Sequence, residues 1–209
     1  MKYNSPFLSF LQKVLDILLL GILWIVCSLP LISIAASSAA LYHSTVKVVK
    51  KEYGSLFSDF FTTFRDNFKS GILLSVLHLL STALIVLYFC ICLAAASVSS
   101  SKLIFLILGV LIVLLYLAIN GFLFPLFSRF QFRTLNYYTA TIYLILHHIK
   151  QALLLILIPI VLAPLIYLNP LFFLLLPGLT AYAKSAVLEP VFRQYMSEDD
   201  CASFPWFSE

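Results

Sequence analysis

The sequence predicts an all-α, polytopic transmembrane helical bundle, and its composition and the arrangement of its apolar residues lead to that class. Apolar residues make up 62% of the 209-residue chain and charged residues only 11%. The mean hydropathy of +1.05 is far above that of soluble domains. Apolar residues are gathered into runs separated by short polar loops, as in chains that cross a membrane several times. Because these runs use nearly the whole chain, residues 1–209 are expected to form one integral membrane domain.

Charge is sparse and confined to short loops. The net charge at pH 7 is +4, which is small for a nucleic-acid-binding protein and is typical of the Lys and Arg excess that orients membrane helices. We therefore expect a lipid bilayer as the surrounding partner and no nucleic acid. Self-association into a homo-oligomer is left open.

The first apolar segment is short and ends at Pro30, which leaves two topologies. Residues 17–29 are too few for a complete span. In one topology residues 15–42 form a single kinked helix, and the bundle has five membrane helices. In the other, Pro30 makes a tight turn, residues 32–50 return across the membrane, and the count is six.

The distribution of positive charge favours six membrane helices. Five basic residues place the loop over 42–70 in the cytoplasm, namely Lys47, Lys50, Lys51, Arg65 and Lys69. The six-helix version also brings Lys2 and Lys13 to the same side, in agreement with the positive-inside rule.

Four further spans are predicted, over residues 71–96, 103–127, 152–168 and 171–192. The turn over 97–102 is then external, and the segment over 128–151 is cytoplasmic. The tail from residue 197 is expected to be mobile or to lie on the interface.

The order span, cytoplasmic segment, span occurs twice, over about 33–96 and 103–168. This repetition predicts an internal duplication, which transporter-like bundles often have.

Residues 55–69 have the clearest amphipathic pattern in the chain. Five aromatic residues recur at helical spacing, namely Phe57, Phe60, Phe61, Phe64 and Phe68. The pattern predicts a cytoplasmic loop helix lying in the membrane interface. Together with Arg65 and Lys69, the same residues are candidates for docking a cytoplasmic partner.

Small and polar residues mark a candidate cavity. Leu29-Pro30 and Leu176-Pro177 are two helix breaks, each followed by a segment rich in Ser, Thr and Ala. If the two breaks face each other, they line one cavity, for which the candidate residues are Ser33, Ser37, Asn120, Thr180 and Lys184. The sequence leaves two places for Lys184, the inner interface or a buried ion pair with Asp16 or Glu189.

Motifs for catalysis are absent from the sequence. It contains no Gly-rich phosphate loop, no Gly-x-Ser-x-Gly elbow and no His-Glu-x-x-His, and its membrane segments contain no pair of aspartates. We therefore expect a protein that is not an enzyme and that uses no cofactor and no metal.

Three motifs resemble a known family. They are Trp24-x-x-Cys27-Ser28-Leu29-Pro30-x-x-Ser33-Ile34-x-Ala36-Ser37-x-x-Ala40-Leu41-Tyr42, Asp59-Phe60-Phe61-x-x-Phe64-x-x-Asn67-Phe68-Lys69 and Phe124-Pro125-Leu126-Phe127-Ser128-Arg129-Phe130. The chain resembles the YesL-like bacterial membrane proteins, a family of unknown function. Ser33 and Ala35 stand where family members usually have Thr and Gly.

The resemblance implies a multi-pass protein of a Gram-positive plasma membrane, with relatives encoded beside carbohydrate ABC importers and polysaccharide-degrading enzymes. It carries over no catalytic residue. We therefore expect an accessory or permease-like component of carbohydrate (oligosaccharide) uptake, linked to ABC importer subunits. The alternatives are a membrane scaffold or regulatory protein without a substrate path, and a small stand-alone transporter.

Overall fold

The computed structural model describes residues 6–95 and 102–196, and every regular element in these two stretches is helical. The elements are α1 (Pro6–Ser28), a 3₁₀ turn (Leu31–Ser33), α2 (Ile34–Ser44), a π-helical segment (Thr45–Lys50), α3 (Leu56–Ala95), α4 (Lys102–Arg129), α5 (Thr134–His147), α6 (Ile149–Leu162), α7 (Leu165–Leu168) and α8 (Phe172–Phe192). Lys2, the predicted external turn up to residue 101 and the predicted tail from residue 197 lie outside the described residues.

The predicted fold class is confirmed, and the number of membrane helices differs from the expected six. Within the described residues, five helices are long and apolar enough to cross a membrane, namely Phe7–Ser28, Leu56–Cys92, Ile104–Arg129, Ile149–Leu168 and Phe172–Phe192. The expected return helix exists as α2 and the π-helical segment. It is not among the five because α2 has only 11 residues and the six that follow include two lysines.

Pro30 reverses the chain, so α1 and α2 form a hairpin and not one kinked helix. Trp24 Nε1 donates a hydrogen bond to Ser38 Oγ over 3.0 Å, and Lys13 near the start of α1 pairs with Glu52 after the π-helical segment at 3.1 Å. These pairs run in opposite directions along the chain, as two antiparallel helices require. The hairpin follows from Pro30, which has no amide hydrogen to continue α1.

The amphipathic segment predicted as a separate loop helix is the first part of α3. Helix α3 is continuous over 40 residues, a length of roughly 60 Å at 1.5 Å per residue, or about twice the hydrocarbon thickness of a bilayer. Its polar first part therefore extends beyond the apolar layer occupied by its second part. In the second half of the predicted duplication, by contrast, α5 and α6 are separated at His148.

The turn into α3 is fixed by one carboxylate. Asp59 forms an ion pair with Lys47 of the π-helical segment, and its Oδ2 accepts a hydrogen bond from the backbone amide of Ser55 at 2.8 Å. Between them the backbone adopts positive φ at Glu52 and Gly54, 53° and 91°. The carboxylate thus satisfies a donor at the start of α3, where helix amides lack partners.

Two buried apolar clusters hold the bundle together. The larger one joins α2, α3, α4, α5, α6 and α8 around Phe122, Leu155 and Phe192. The smaller one joins α1, α2, α3 and α8 around Leu20 and Phe60. Because α2, α3 and α8 contribute to both clusters, they are the central helices of the bundle.

Candidate functional site

A cavity of about 430 Å³ lies among the central helices. Its walls come from α1, α2, α3, α4, α6 and α8, and it is lined mainly by apolar side chains with a few polar groups among them. A volume of this size and such a lining are typical of small-molecule sites. The cavity is therefore the candidate functional site.

Three helix-interior prolines line this cavity. Pro125 lies inside α4, Pro159 inside α6 and Pro177 inside α8, each within a continuous helix, and all three are at the cavity wall. Each proline removes one helix hydrogen bond and leaves a backbone carbonyl without its usual partner. An unpaired backbone carbonyl at membrane depth is tolerated beside a cavity or inside protein, which explains why the three prolines are found at this place.

Three of the five predicted cavity residues line it: Asn120, Thr180 and Lys184. Asn120 donates from Nδ2 to the Tyr116 carbonyl at 2.8 Å, and its Oδ1 is buried without a hydrogen-bond partner. Thr180 Oγ1 donates to the Pro177 carbonyl at 2.8 Å. The cavity therefore presents an ammonium group, an amide oxygen and a hydroxyl.

The other two predicted cavity residues, Ser33 and Ser37, lie at the α1–α2 turn. Ser33 Oγ is 2.7 Å from the Pro30 carbonyl oxygen, and Ser37 Oγ is 2.6 Å from Ser28 Oγ. Both hydroxyls hold the hairpin closed. The neighbouring Ser38 lines the cavity in their place, because it is one position further around the same helix.

The second Leu-Pro break lines the cavity and the first does not. Leu176 and Pro177 are both at the wall. From the first break only the helix that follows takes part, through Ser38, Leu41 and Tyr42. Helices α2 and α8 thus face each other across the cavity.

Sequence reasoning did not place Trp24, Tyr42, His78 and Tyr116 at the cavity. The ring of His78 stacks on that of Tyr116 with centroids 5.7 Å apart, and the Tyr116 hydroxyl is within hydrogen-bond contact of Thr82. The sequence does contain a signal for these positions. His78 and Thr82 form a polar stripe on α3, and Tyr116 and Asn120 are one turn apart on α4. Only the structure shows that these stripes face each other.

A buried ion pair lies next to the cavity at Tyr42. Arg129 Nη2 is 3.0 Å from Glu189 Oε1, and the same oxygen accepts a hydrogen bond from the Tyr42 hydroxyl at 2.8 Å. Burial and the charge of Glu189 raise the pKa of Tyr42 well above its usual value. Glu189 is thus paired with Arg129, and the predicted alternative of a Lys184–Glu189 pair is wrong.

The adjacent His43 is held in its neutral form. Burial, followed by the positive charges of Arg129 and Lys47, lowers the pKa of His43 to about 3. At physiological pH it therefore adds no further positive charge beside Arg129.

The candidate docking residues on α3 divide between two faces. Phe60 is completely buried, and Phe64 packs against the same cluster. Phe57 and Phe61 are 51% and 49% exposed. The remaining candidates are exposed or half-buried, namely Arg65, Phe68 and Lys69. Any partner at this helix therefore meets Phe57 and Phe61, whereas Phe60 belongs to the core.

The fold and the cavity define a multi-pass helical membrane protein with an internal pocket. The family model described as "Protein of unknown function, DUF624" matches residues 17–90, from the middle of α1 to near the end of α3. Comparisons with curated proteins and with solved structures give no match.

Proposed function

We propose that this protein is a non-enzymatic, permease-like or accessory component of carbohydrate uptake in a bacterial plasma membrane. The observation that carries the proposal is the cavity, which combines aromatic rings with hydroxyl, amide and ammonium groups among membrane helices. Sugars have both apolar ring faces and hydroxyl groups, and such a lining offers partners for both. The resemblance to the YesL-like proteins supports the choice of carbohydrate.

The first experiment asks whether the cavity admits water. Thr180→Cys, made in a background with the native cysteines replaced by Ser, is treated with a membrane-impermeant thiol reagent. We expect labelling that a bound sugar slows. The matched control is Leu188→Cys on the same helix, where the side chain is fully buried in the larger apolar cluster and should stay unlabelled. If Thr180→Cys is as unreactive as Leu188→Cys, the cavity is dry and a substrate path is excluded.

The second part of the proposal is docking to ABC importer subunits through Phe57 and Phe61. Both rings are exposed on the polar first part of α3, which extends beyond the apolar layer. The orientation we propose puts this part, and the loops over 42–70 and 128–151, in the cytoplasm.

A pull-down from mild detergent tests the docking. Importer subunits should copurify with the wild type and be lost with Phe57→Asp/Phe61→Asp. The matched control is Ser58→Asp/Thr62→Asp, which adds the same two charges at exposed positions of the same helix and should retain them. Absence of importer subunits from the wild-type sample rules out this partner.

The alternative is a membrane scaffold or regulator, and the exposed pair Phe57 and Phe61 favours it if the cavity is dry. In that case the same pull-down should recover a sensor kinase or a secretion apparatus. Loss of that partner in Phe57→Asp/Phe61→Asp would identify the scaffold role.

A further inference from the structure

Within residues 6–95 and 102–196, Lys184 has no counter-ion. Among the described residues no carboxylate lies within ion-pair distance of its ammonium group. Glu189, five positions further along the chain, is occupied by Arg129 at 3.0 Å and Tyr42 at 2.8 Å. Lys184 lines the cavity beside Thr180, so its free charge is available to a molecule inside.

An ammonium group in such a site favours an anionic partner. Removal of a charge from water is strongly unfavourable unless another charge or hydrogen bonds replace the lost hydration. Charged residues within membrane segments therefore pair with each other or belong to a ligand or ion pathway. Since the chain itself offers no acid to Lys184 in the described part, a ligand is the remaining source of negative charge.

A second group in the cavity requires a hydrogen-bond donor. Asn120 Oδ1 is buried with no partner among the described groups, while its Nδ2 is already used by the Tyr116 carbonyl at 2.8 Å. An unpaired buried acceptor carries a free-energy cost, because it has lost its hydrogen bonds to water and gained none in the protein. A ligand hydroxyl placed at Asn120 removes this cost, whereas a purely apolar ligand leaves it in place.

Lys184 supplies one positive charge at the cavity wall, and this limits the charge that a ligand can bring. Phosphate groups carry nearly two charges at neutral pH and are typically bound by Arg side chains in bidentate geometry. No arginine is among the described lining residues, and Arg129, which lies over the ring of the lining residue Tyr42, already pairs with Glu189. One ammonium group in an apolar lining therefore matches a monoanion such as a carboxylate.

We propose that the cavity binds a sugar acid, with the carboxylate at Lys184 and a hydroxyl at Asn120. This inference rests on the proposed role in carbohydrate uptake and narrows its substrate class to acidic sugars. Thr180 and Tyr116 supply further hydroxyl groups at the same wall. The aromatic ring of Trp24 offers an apolar face to the sugar ring.

Trp24 reports directly on ligand binding because it lines the cavity. The chain has two tryptophans, so Trp206→Phe leaves Trp24 as the single tryptophan, which is excited selectively at wavelengths where tyrosine does not absorb. The purified protein in nanodiscs is titrated with glucuronate and, at the same ionic strength, with glucose. The two probes differ only in the carboxylate at C6. We expect glucuronate to bind at least tenfold more tightly than glucose.

Two variants test the assigned contacts in the Trp206→Phe background. Lys184→Met keeps the length of the side chain and removes its charge, and should abolish the preference for glucuronate. Asn120→Leu should weaken the binding of both glucuronate and glucose several-fold. Lys150→Met, at the start of α6 and outside the cavity lining, is the control for general charge and should keep the preference. Lys184→Gln serves as a second neutral variant if Lys184→Met misfolds.

The outcomes separate the recognition of a sugar acid from the broader proposal of carbohydrate uptake. Equal binding of glucose and glucuronate, or a preference that survives in Lys184→Met, overturns acid recognition and leaves the sugar cavity in place. Failure of both probes to change Trp24 fluorescence overturns the acid assignment. If Thr180→Cys also fails to react with the membrane-impermeant thiol reagent, the uptake function is overturned as well.

Discussion

Arg129 and Glu189 join the ends of α4 and α8 through a contact of 3.0 Å between Nη2 and Oε1. The Arg129 side chain is fully buried and that of Glu189 nearly so, and the guanidinium also lies over the ring of Tyr42, 5.7 Å from its centroid. This group connects three helices at one end of the cavity, so its charges affect the stability of the whole bundle.

Removal of one partner should therefore destabilise the protein strongly. Glu189→Leu leaves a buried guanidinium facing no acid, for which a loss of about 3–5 kcal/mol is typical. Thermal unfolding in detergent, followed by Trp fluorescence, measures the effect. The double variant Arg129→Met/Glu189→Leu removes both charges and should recover much of the loss. Equal destabilisation of the single and double variants would contradict a role for the ion pair.

Substitution of the glycines between α1 and α8 should separate these helices. A Cβ at Gly21 would lie 2.0 Å from the Leu174 carbonyl oxygen, and a Cβ at Gly178 would lie 2.2 Å from the Ile17 carbonyl oxygen. Both obstacles are backbone atoms of a neighbouring helix, so Gly21→Ala or Gly178→Ala forces the helices apart. Overpacking of this kind costs about 1–3 kcal/mol or more.

Gly109→Ala is the matched control, because its nearest neighbours are ring atoms of Tyr88 and Phe89 at 3.0 Å or more. Aromatic side chains can move aside, so its unfolding temperature should change little. If all three glycine variants have the same unfolding temperature, the close contact between α1 and α8 is refuted.

Two adjacent aromatic residues on α3 should differ sharply in their effect on stability. Phe60 is completely buried and Phe61 is about half exposed. Phe60→Ala creates a cavity in the smaller cluster and should cost about 3–5 kcal/mol. Phe61→Ala should change the free energy of unfolding by less than about 0.5 kcal/mol, as most surface substitutions do. Similar unfolding curves for both variants would place the buried face of α3 elsewhere.

The stability of the protein should fall as the pH is lowered through the titration of His43. Its folded pKa of about 3 is below the usual value of about 6.5 in an unfolded chain. Between these values the unfolded state binds one more proton than the folded state, so protonation favours unfolding. The loss is up to about 1.4 kcal/mol per pH unit below pH 6.5.

The contribution of His43 is measured as the change in unfolding temperature between pH 7 and pH 5. His43→Gln should reduce this change, while His147→Gln, at an exposed position, should leave it as in the wild type. An unchanged pH dependence in His43→Gln would show that other groups cause it.

Features that depend on composition and on the spacing of residues along the chain could be predicted from the sequence. Contacts between segments far apart in the chain could not. Hydropathy alone identifies the helical membrane class, because a continuous apolar run long enough to cross the bilayer as one helix satisfies its backbone hydrogen bonds within itself. Asn120, Thr180 and Lys184 were predictable at the cavity because polar groups in apolar runs are rare. The pairing of Glu189 with Arg129 could not be predicted, since the two residues are 60 positions apart and no local pattern joins them.

The same limit applies to the aromatic stripe of α3. The spacing of Phe60 and Phe61 defines an apolar face, but it does not tell whether protein or lipid covers that face. The hairpin of α1 and α2 covers Phe60, and this contact depends on the sharp turn at Pro30. Ser33 and Ser37 were assigned to the cavity because small residues mark close packing, and the packing they serve is that of the turn.

Helix α3 connects the exposed aromatic pair, Phe57 and Phe61, to the internal cavity. It carries Phe57 near its start and His78 at the cavity, 21 positions or roughly 32 Å apart along one helix axis. No proline or other break interrupts it within the described residues. Because the helix is continuous between these two residues, a rotation or tilt of its first turns is expected to move the cavity wall at His78 as well.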